Sequence, residues 1–359
     1  MAAVAVMLGV TVLGYAAIHR GPTFVPLSAD TTAGSSPGQG GSPGTGTTAA
    51  PSTRTSTATS STTSTSKPTS KPLGPGLSGT WVLQQANSVA QVDTTMVEQA
   101  LSTPRIRGYS LRVPWSAVDG NTLVLNAGAQ TAAKHRVSLA VRFMAGMYTP
   151  ASVFAAGSPY YISNGVKVPT PFMPNGSPNT IFESSYRSEV GALAAWCRGH
   201  GVHELHMSWY GRLYAQFDNS TIVNSQPGYT YANWLNAHER LVNIAWAFAG
   251  SDLTIEFPVD GADTTHHATA DLTRYIDSVA ASHPTWFYQQ TNGLGVYNTP
   301  PLGTVPHAQQ MYGTTDYDWN TIFSIATQNR DMYLEIYASS FSPSLAHHAQ
   351  LLAQIATFG

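Results

Sequence analysis

The sequence predicts an α/β fold, a (β/α)8 TIM barrel, preceded by an apolar N-terminal segment and a disordered Ser/Thr/Pro-rich stalk. Three observations predict it. Eight short runs rich in Val, Ile, Tyr, Phe or Trp lie between Gly79 and Ala338. Amphipathic stretches with helical spacing separate most of them, the pattern of parallel strands joined by outer helices. The roughly 280 residues from Gly79 onward match the usual size of one such barrel.

The strands, in order, are expected at residues 79–84, 108–115, 136–144, 202–210, 253–259, 285–291, 307–313 and 332–338. Most are bounded by turn residues. In 186–198, Val190, Leu193 and Cys197 share one helical face. In 232–248, Trp234, Leu241, Ile244 and Phe248 do the same. Residues 271–279 and 345–355 fit outer helices as well, the last closing the ring after the eighth strand. Two segments depart from the alternation. Residues 149–183 form a long Gly-, Pro-, Tyr- and Phe-rich insertion after the third strand, expected to be a lid or a subsite wall. Residues 292–306 hold Gly293, Gly295, Pro300, Pro301, Gly303 and Pro306 and show no helical period. The outer helix between strands six and seven is therefore expected to be absent or very short.

The chain divides at about residue 79. Residues 1–18 are almost wholly apolar and carry no charged side chain, so 1–20 is expected to be a signal anchor or signal peptide. Residues 21–78 are dominated by Ser, Thr, Pro and Gly and cannot bury enough apolar surface to fold. A hydrophobic leader followed by a stalk implies a domain, 79–359, working outside the cytoplasm or at the cell surface. It stays membrane-anchored where residues 1–18 are retained. A net charge of −2 with only 10% charged residues argues against a nucleic-acid partner, which would need a basic stripe. Cys197 is the sole cysteine, which excludes an intrachain disulfide and suits a small buried hydrophobe.

Side chains alternate along a strand, so i and i+2 share a face. In 253–259, Thr254, Glu256 and Pro258 share one face, while Leu253, Ile255, Phe257 and Val259 suit packing against helices. In 332–338, Tyr333, Glu335 and Tyr337 face together. Glu256 and Glu335 are thus expected to point into the barrel from strands five and eight. Paired carboxyl groups are what glycoside hydrolysis needs: one protonates the leaving oxygen, and the other attacks or activates water. The competing role is structural, because Arg112 and Arg142 also face inward and neutralise buried acids. Glu204 and the loop acids Asp119 and Asp260 are further candidates; Asp260 falls at the strand-end face where barrels place their sites.

The run Gly108-Tyr-Ser-Leu-Arg-Val-Pro-Trp115 resembles the second strand of the large clan of retaining (β/α)8 glycoside hydrolases. The resemblance extends to the barrel layout over residues 79–359 and implies that Arg112 supports a nucleophilic carboxylate. That clan carries an Asn-Glu pair at the end of strand four and a Glu at the end of strand seven. Here those ends read Ser208-Trp209-Tyr210-Gly211 and Gln309-Gln310-Met311-Tyr312-Gly313. Glu256 and Glu335 therefore rest on alternation alone.

Aromatic faces stack on sugar rings without demanding charge. Trp115, Trp209, Tyr210, Tyr312 and Tyr337 are expected contacts of this kind, with Gln290 and Asn292 bonding hydroxyls and Arg112, Arg142 and Asp260 completing the substrate set. His203 and His206 fall on opposite faces of a strand and make no metal grip. No phosphate loop, nucleophile elbow or Cys/His dyad occurs, so neither metal nor cofactor is expected. The expected function is an extracytoplasmic glycosidase acting on an oligo- or polysaccharide. The alternative is a non-catalytic barrel that binds carbohydrate at the surface.

Overall fold

The computed structural model describes residues 77–211, 217–259, 261–263, 268–281, 286–295, 305–312 and 316–358. The expected leader, nearly all of the expected stalk, and Asp260 lie outside the described residues. Among the described residues no helix is long and apolar enough to cross a membrane.

Among the described residues twelve strands occur in chain order: β1 (Gly79–Gln85), β2 (Ile106–Pro114), β3 (Ser138–Met144), β4 (Tyr160–Ser163), β5 (Val166–Pro169), β6 (Glu204–His206), β7 (Phe217–Asn219), β8 (Thr254–Pro258), β9 (Gly261–Asp263), β10 (Phe287–Leu294), β11 (His307–Met311) and β12 (Tyr333–Tyr337). Eight of them close a barrel in the order β1-β2-β3-β6-β8-β10-β11-β12. Every neighbouring pair is parallel, and β12 returns to β1. The fold is a (β/α)8 barrel. The helices are α1 (Thr95–Leu101), α2 (Trp115–Val118), α3 (Leu123–His135), α4 (Ala151–Ala155), α5 (Thr180–Gly199), α6 (Thr221–Asn224), α7 (Tyr231–Trp246), α8 (Ala268–Ala280), α9 (Trp319–Asn329) and α10 (His348–Ile355).

Local chemistry sets the helix ends. The side chains of Thr94, Asn179 and Thr230 accept from backbone N–H groups in the first turns of α1, α5 and α7. α3 and α9 stop where Arg136 and Arg330 adopt left-handed φ values of 59° and 61°. Outward strand residues such as Leu111, Val141, Leu205, Ile255, Phe257 and Ile336 pack with helix residues such as Leu125, Val190, Leu193 and Leu241 in one large core. Cys197 lies buried in it, and burial pushes its thiol up to about 12.

Inside the ring, Trp81, Ala140, Tyr288, Ala308 and Tyr333 form a separate apolar floor with Leu77. Trp81 and Tyr333 lie 5.3 Å apart at their ring centroids. Gly108 has to be glycine here: a Cβ would meet the Trp81 ring at 2.1 Å.

The strand bounds differ most at the fourth and sixth strands, and the second ends one residue early. The expected fourth strand spans 202–210, but only Glu204–His206 pairs as β6. The expected second strand ends at Trp115, which instead opens α2. The insertion at 149–183 is not one irregular loop. It holds α4, an antiparallel β4–β5 hairpin and the start of α5. The hairpin turns on Asn164 and Gly165, with φ of 51° and 78°. That is the Asn-Gly signal for a two-residue turn, legible in the sequence. Asn292 belongs to β10 rather than to the following loop. Residues 296–304, where the missing outer helix is in question, lie outside the described set.

Candidate functional site

The interior strand positions carry an unusual load of charge above the floor. Ser110 and Arg112 come from β2, Arg142 from β3, Glu204 and His206 from β6, and Glu256 from β8. Gln290 and Asn292 come from β10, Gln310 from β11, and Tyr333, Glu335 and Tyr337 from β12. All except Tyr337 are buried. The carboxyl groups fall into two unlike settings.

Glu204 and Glu256 stand on adjacent strands and share one phenol. The Tyr333 hydroxyl lies within hydrogen-bonding reach of both Glu204 Oε1, at 2.6 Å, and Glu256 Oε2, so its one proton serves a single carboxyl at a time. The other oxygens, Glu204 Oε2 and Glu256 Oε1, are sealed from solvent and meet no hydrogen-bond donor among the described residues. Burial, then the neighbouring Glu204 charge, drives the Glu256 carboxyl well above its ordinary range. Burial likewise raises Glu204. Two carboxylates this close cannot both ionise in a dry site, so the pair retains a proton.

Glu335 sits against a cation instead. Arg142 Nη1 donates to Glu335 Oε2 in a buried salt bridge, and the Ser110 hydroxyl donates to Oε1. Arg142 also donates to Gln310 Oε1 at 2.6 Å, Asn292 Oδ1 at 2.9 Å and His206 Nε2 at 3.3 Å. Because Nε2 accepts from a guanidinium, His206 carries its proton on Nδ1, which lies 3.8 Å from Glu256 Oε2. Burial, with the Arg142 and Arg112 charges, holds the imidazole neutral by pushing its pKa well below the usual value.

Nearer the C-terminal rim, Arg112 Nη2 donates to the same Gln310 Oε1 at 2.6 Å, and its Nη1 donates to the Tyr337 hydroxyl at 3.4 Å. The Arg112 guanidinium also lies 5.8 Å from the Tyr337 ring centre. Gln310 Nε2 donates to the Tyr337 hydroxyl at 3.0 Å. Gln310 thus joins both arginines, and half-buried Tyr337 opens the network toward the mouth. At the edge, Gln85 Nε2 donates to the Tyr148 hydroxyl at 3.4 Å.

The structure gathers Arg112, Arg142, Asn292, Glu335 and Tyr337 of the expected set into one network. Glu256 and Gln290 lie in the adjoining cluster, where Gln290 Nε2 donates to Tyr333 at 3.4 Å. Tyr312 is exposed just past β11. The other three aromatics are not at the mouth. Trp115 is buried among Phe143, Phe182 and Tyr186. Trp209 packs on Phe257 and donates to the Pro258 carbonyl at 2.7 Å. Tyr210 is buried on Phe182 and His238. Gln310, Ser110, His206 and Tyr333 were missed as site members. The signal was present, since each shares its strand face with a residue already singled out: Tyr312, Arg112, Glu204 and Glu335.

No group of three or more His, Cys, Asp or Glu side chains able to hold a metal occurs among the described residues. The network can bind and orient polar groups, and it can hold a proton on the Glu204–Glu256 pair.

No family model matches the chain, and no curated protein does. Solved structures with similar coordinates exist at low identity. The old yellow enzyme homologue from Zymomonas mobilis is 10% identical, with a TM-score of 0.46 over 72% of this chain and 83% of that one. A Thermomonospora fusca β-mannanase in complex with mannohexaose is 13% identical, with a TM-score of 0.44 over 77% and 82%. A D-psicose 3-epimerase with D-tagatose from Clostridium cellulolyticum H10 is 8% identical, with a TM-score of 0.42 over 76% and 89%. The activities named for these proteins differ from one to the next.

Proposed function

We propose that this chain is an extracytoplasmic, carbohydrate-active barrel that takes a sugar at its C-terminal mouth, by recognition rather than cleavage. One observation carries the reading. Both candidate catalytic glutamates are already engaged below the rim, Glu335 by Arg142 and Ser110, Glu256 by Glu204 and Tyr333. Arg112, Gln310 and Tyr337 stand above them, donors and acceptors of the kind that meet hydroxyl groups. On this reading the acids hold the arginines in place, and Arg112 is the principal ligand contact. The location outside the cytoplasm, with residues 1–18 as leader or anchor, rests on the sequence of residues 1–78.

Hydrolysis is the second reading, favoured by a separate observation. Glu256 belongs to a carboxyl pair that shares a proton, while Glu335 lies against a guanidinium. Two acids with environments this unlike suit an acid and a nucleophile. Calorimetric titration of the full chain with neutral oligosaccharides, run beside a panel of chromogenic glycosides, separates the two. Arg112→Ala should weaken sugar binding about tenfold, the loss of one or two good hydrogen bonds. Turnover abolished by both Glu256→Gln and Glu335→Gln would replace recognition with hydrolysis. Absence of both heat and turnover across the panel would remove the carbohydrate reading.

A further inference from the structure

A pocket opens at the other end of the barrel, where the strands begin. It has a volume of about 390 Å³. The turn from α3 into β3 supplies Arg136, Val137 and Ser138, and the connection from α5 into β6 supplies His200 to His203. Leu77 borders it just ahead of β1. This is the N-terminal face, opposite the mouth, where barrels do not place their active sites.

One wall is apolar. Leu77, Trp81, Leu139 and Val202 line it. The last turns of α3 add Ala129, Ala132 and Ala133, one helical face of small side chains that leaves the space unfilled. The rim is basic. Arg136, His200 and His203 are all exposed. Arg136 forms no ion pair and no side-chain hydrogen bond among the described residues. Each imidazole is tethered through Nδ1. His200 Nδ1 donates to the Trp196 carbonyl at 2.8 Å, and its ring stacks on that indole at 4.2 Å. His203 Nδ1 donates to the Asp252 carbonyl at 3.1 Å. The Nε2 atom of each ring therefore stays unbonded among the described residues. The Asp252 carboxylate is engaged by Arg198 Nε at 2.8 Å. Among the lining residues the one acid is Glu204, at the buried end, where it shares a proton with Glu256.

These features sort the occupants. A cation meets a rim of its own sign. A small inorganic anion leaves the apolar wall in water, and a neutral hydrocarbon gains nothing from Arg136. An acid with a hydrocarbon tail answers both surfaces. Glu204 sets its direction, because a carboxylate at the buried end would lie against another acid. The preceding part of the chain does not supply the charge: residues 31–76 contain Arg54, Lys67 and Lys71 and no Asp or Glu.

We propose that the N-terminal face binds a small carboxylic acid with a short hydrocarbon tail. Its carboxylate meets the Arg136 guanidinium, whose fork matches two carboxylate oxygens, with the two imidazoles beside it. Its tail lies against Trp81, Leu139 and Val202. The site is separate from the mouth and does not rest on the carbohydrate reading.

Calorimetric titration of the full chain with sodium hexanoate and sodium octanoate tests this. Two temperatures are used, because burial of a tail changes the binding heat with temperature. We expect saturable binding of at least one acid, with acetate and hexanol at least tenfold weaker. Arg136→Asn removes the charge but keeps a residue that tolerates the left-handed φ of 59° at this helix end. It should weaken binding about tenfold. Ala133→Phe fills the pocket from its exposed edge and should abolish binding. Absence of a saturable heat for both acids at both temperatures overturns the proposal. Hexanol binding as tightly as hexanoate overturns the role of the basic rim. Binding unchanged in both Arg136→Asn and Ala133→Phe places the acid elsewhere. Binding gained in Leu73→Ser but absent from the wild type assigns the pocket to the preceding segment of the chain and overturns the proposal as well.

Discussion

The two sides of the barrel interior solve the same problem in opposite ways. On β6 and β8 two buried acids, Glu204 and Glu256, are made tolerable by a retained proton and one tyrosine hydroxyl. Across the ring, Glu335 on β12 is made tolerable by a full counter-charge from Arg142 on β3. Glu256 and Glu335 look equivalent in sequence, each an acid in an alternating strand. Their neighbours make one a member of a proton-sharing carboxyl pair and the other half of an ion pair. The lesson is that alternation predicts where a side chain points, and the facing strands decide its charge.

Removing Glu335 tests the ion-paired side and carries the largest expected effect. Glu335→Ala leaves Arg142 buried without its counter-charge and should cost about 3–5 kcal/mol in urea unfolding. Replacing both partners by Met should recover most of that loss. A loss under about 1 kcal/mol for the single variant would mean that Gln310 and Asn292 alone can hold the guanidinium.

The shared floor comes next. Gly108→Ala forces a Cβ onto the Trp81 ring beneath both clusters and should cost about 1–3 kcal/mol, read by urea unfolding. Wild-type stability in this variant would show that Trp81 can vacate the floor at little cost.

Glu256→Gln should act in the opposite direction to Glu335→Ala. The Glu256 carboxyl has a folded pKa above its ordinary value, so the fold keeps a proton that the unfolded chain releases. Its stability contribution is therefore fully present below the ordinary carboxylate value and drains away as pH rises above it. The amide cannot ionise, so the variant should be at least as stable as wild type at pH 8 and show no advantage at pH 4. Melting curves at the two pH values check this, and a destabilised variant at pH 8 would break the comparison.

Glu189 provides the smallest effect and a control outside the ring. Its carboxyl, pushed up to about 7 by burial first and the Asp119 charge second, loses stability as pH climbs from the ordinary carboxylate value through 7. Glu189→Gln should flatten that part of the pH–stability curve by roughly 1–2 kcal/mol, after allowance for its partial solvent access. An unchanged curve would show that solvent screens the Asp119 charge there.

Much of this was legible in the sequence. The eight barrel strands lie within the eight expected runs to within a few residues. Period-two alternation turned Arg112, Arg142, Glu256 and Glu335 inward, and the contacts of all four lie across the barrel. Aromatic roles were less legible. Trp115, Trp209 and Tyr210 sit at strand ends, where alternation stops applying: Trp115 opens a helix, and the other two lie past the three residues of β6. There the chain turns outward, and large apolar rings follow the hydrophobic core. The hairpin in the 149–183 insertion was written in Asn164-Gly165 but hidden by the surrounding Gly and Pro.

The sequence by itself determined the closed parallel ring and the inward set of polar residues, because side-chain direction in a strand is a local property of the backbone. Only the tertiary structure decided that Arg142 would meet Glu335 and that Glu256 would meet Glu204 and Tyr333. Those pairings join residues between 52 and 193 positions apart, and barrel closure and stagger, not local spacing, set which side chains share a height.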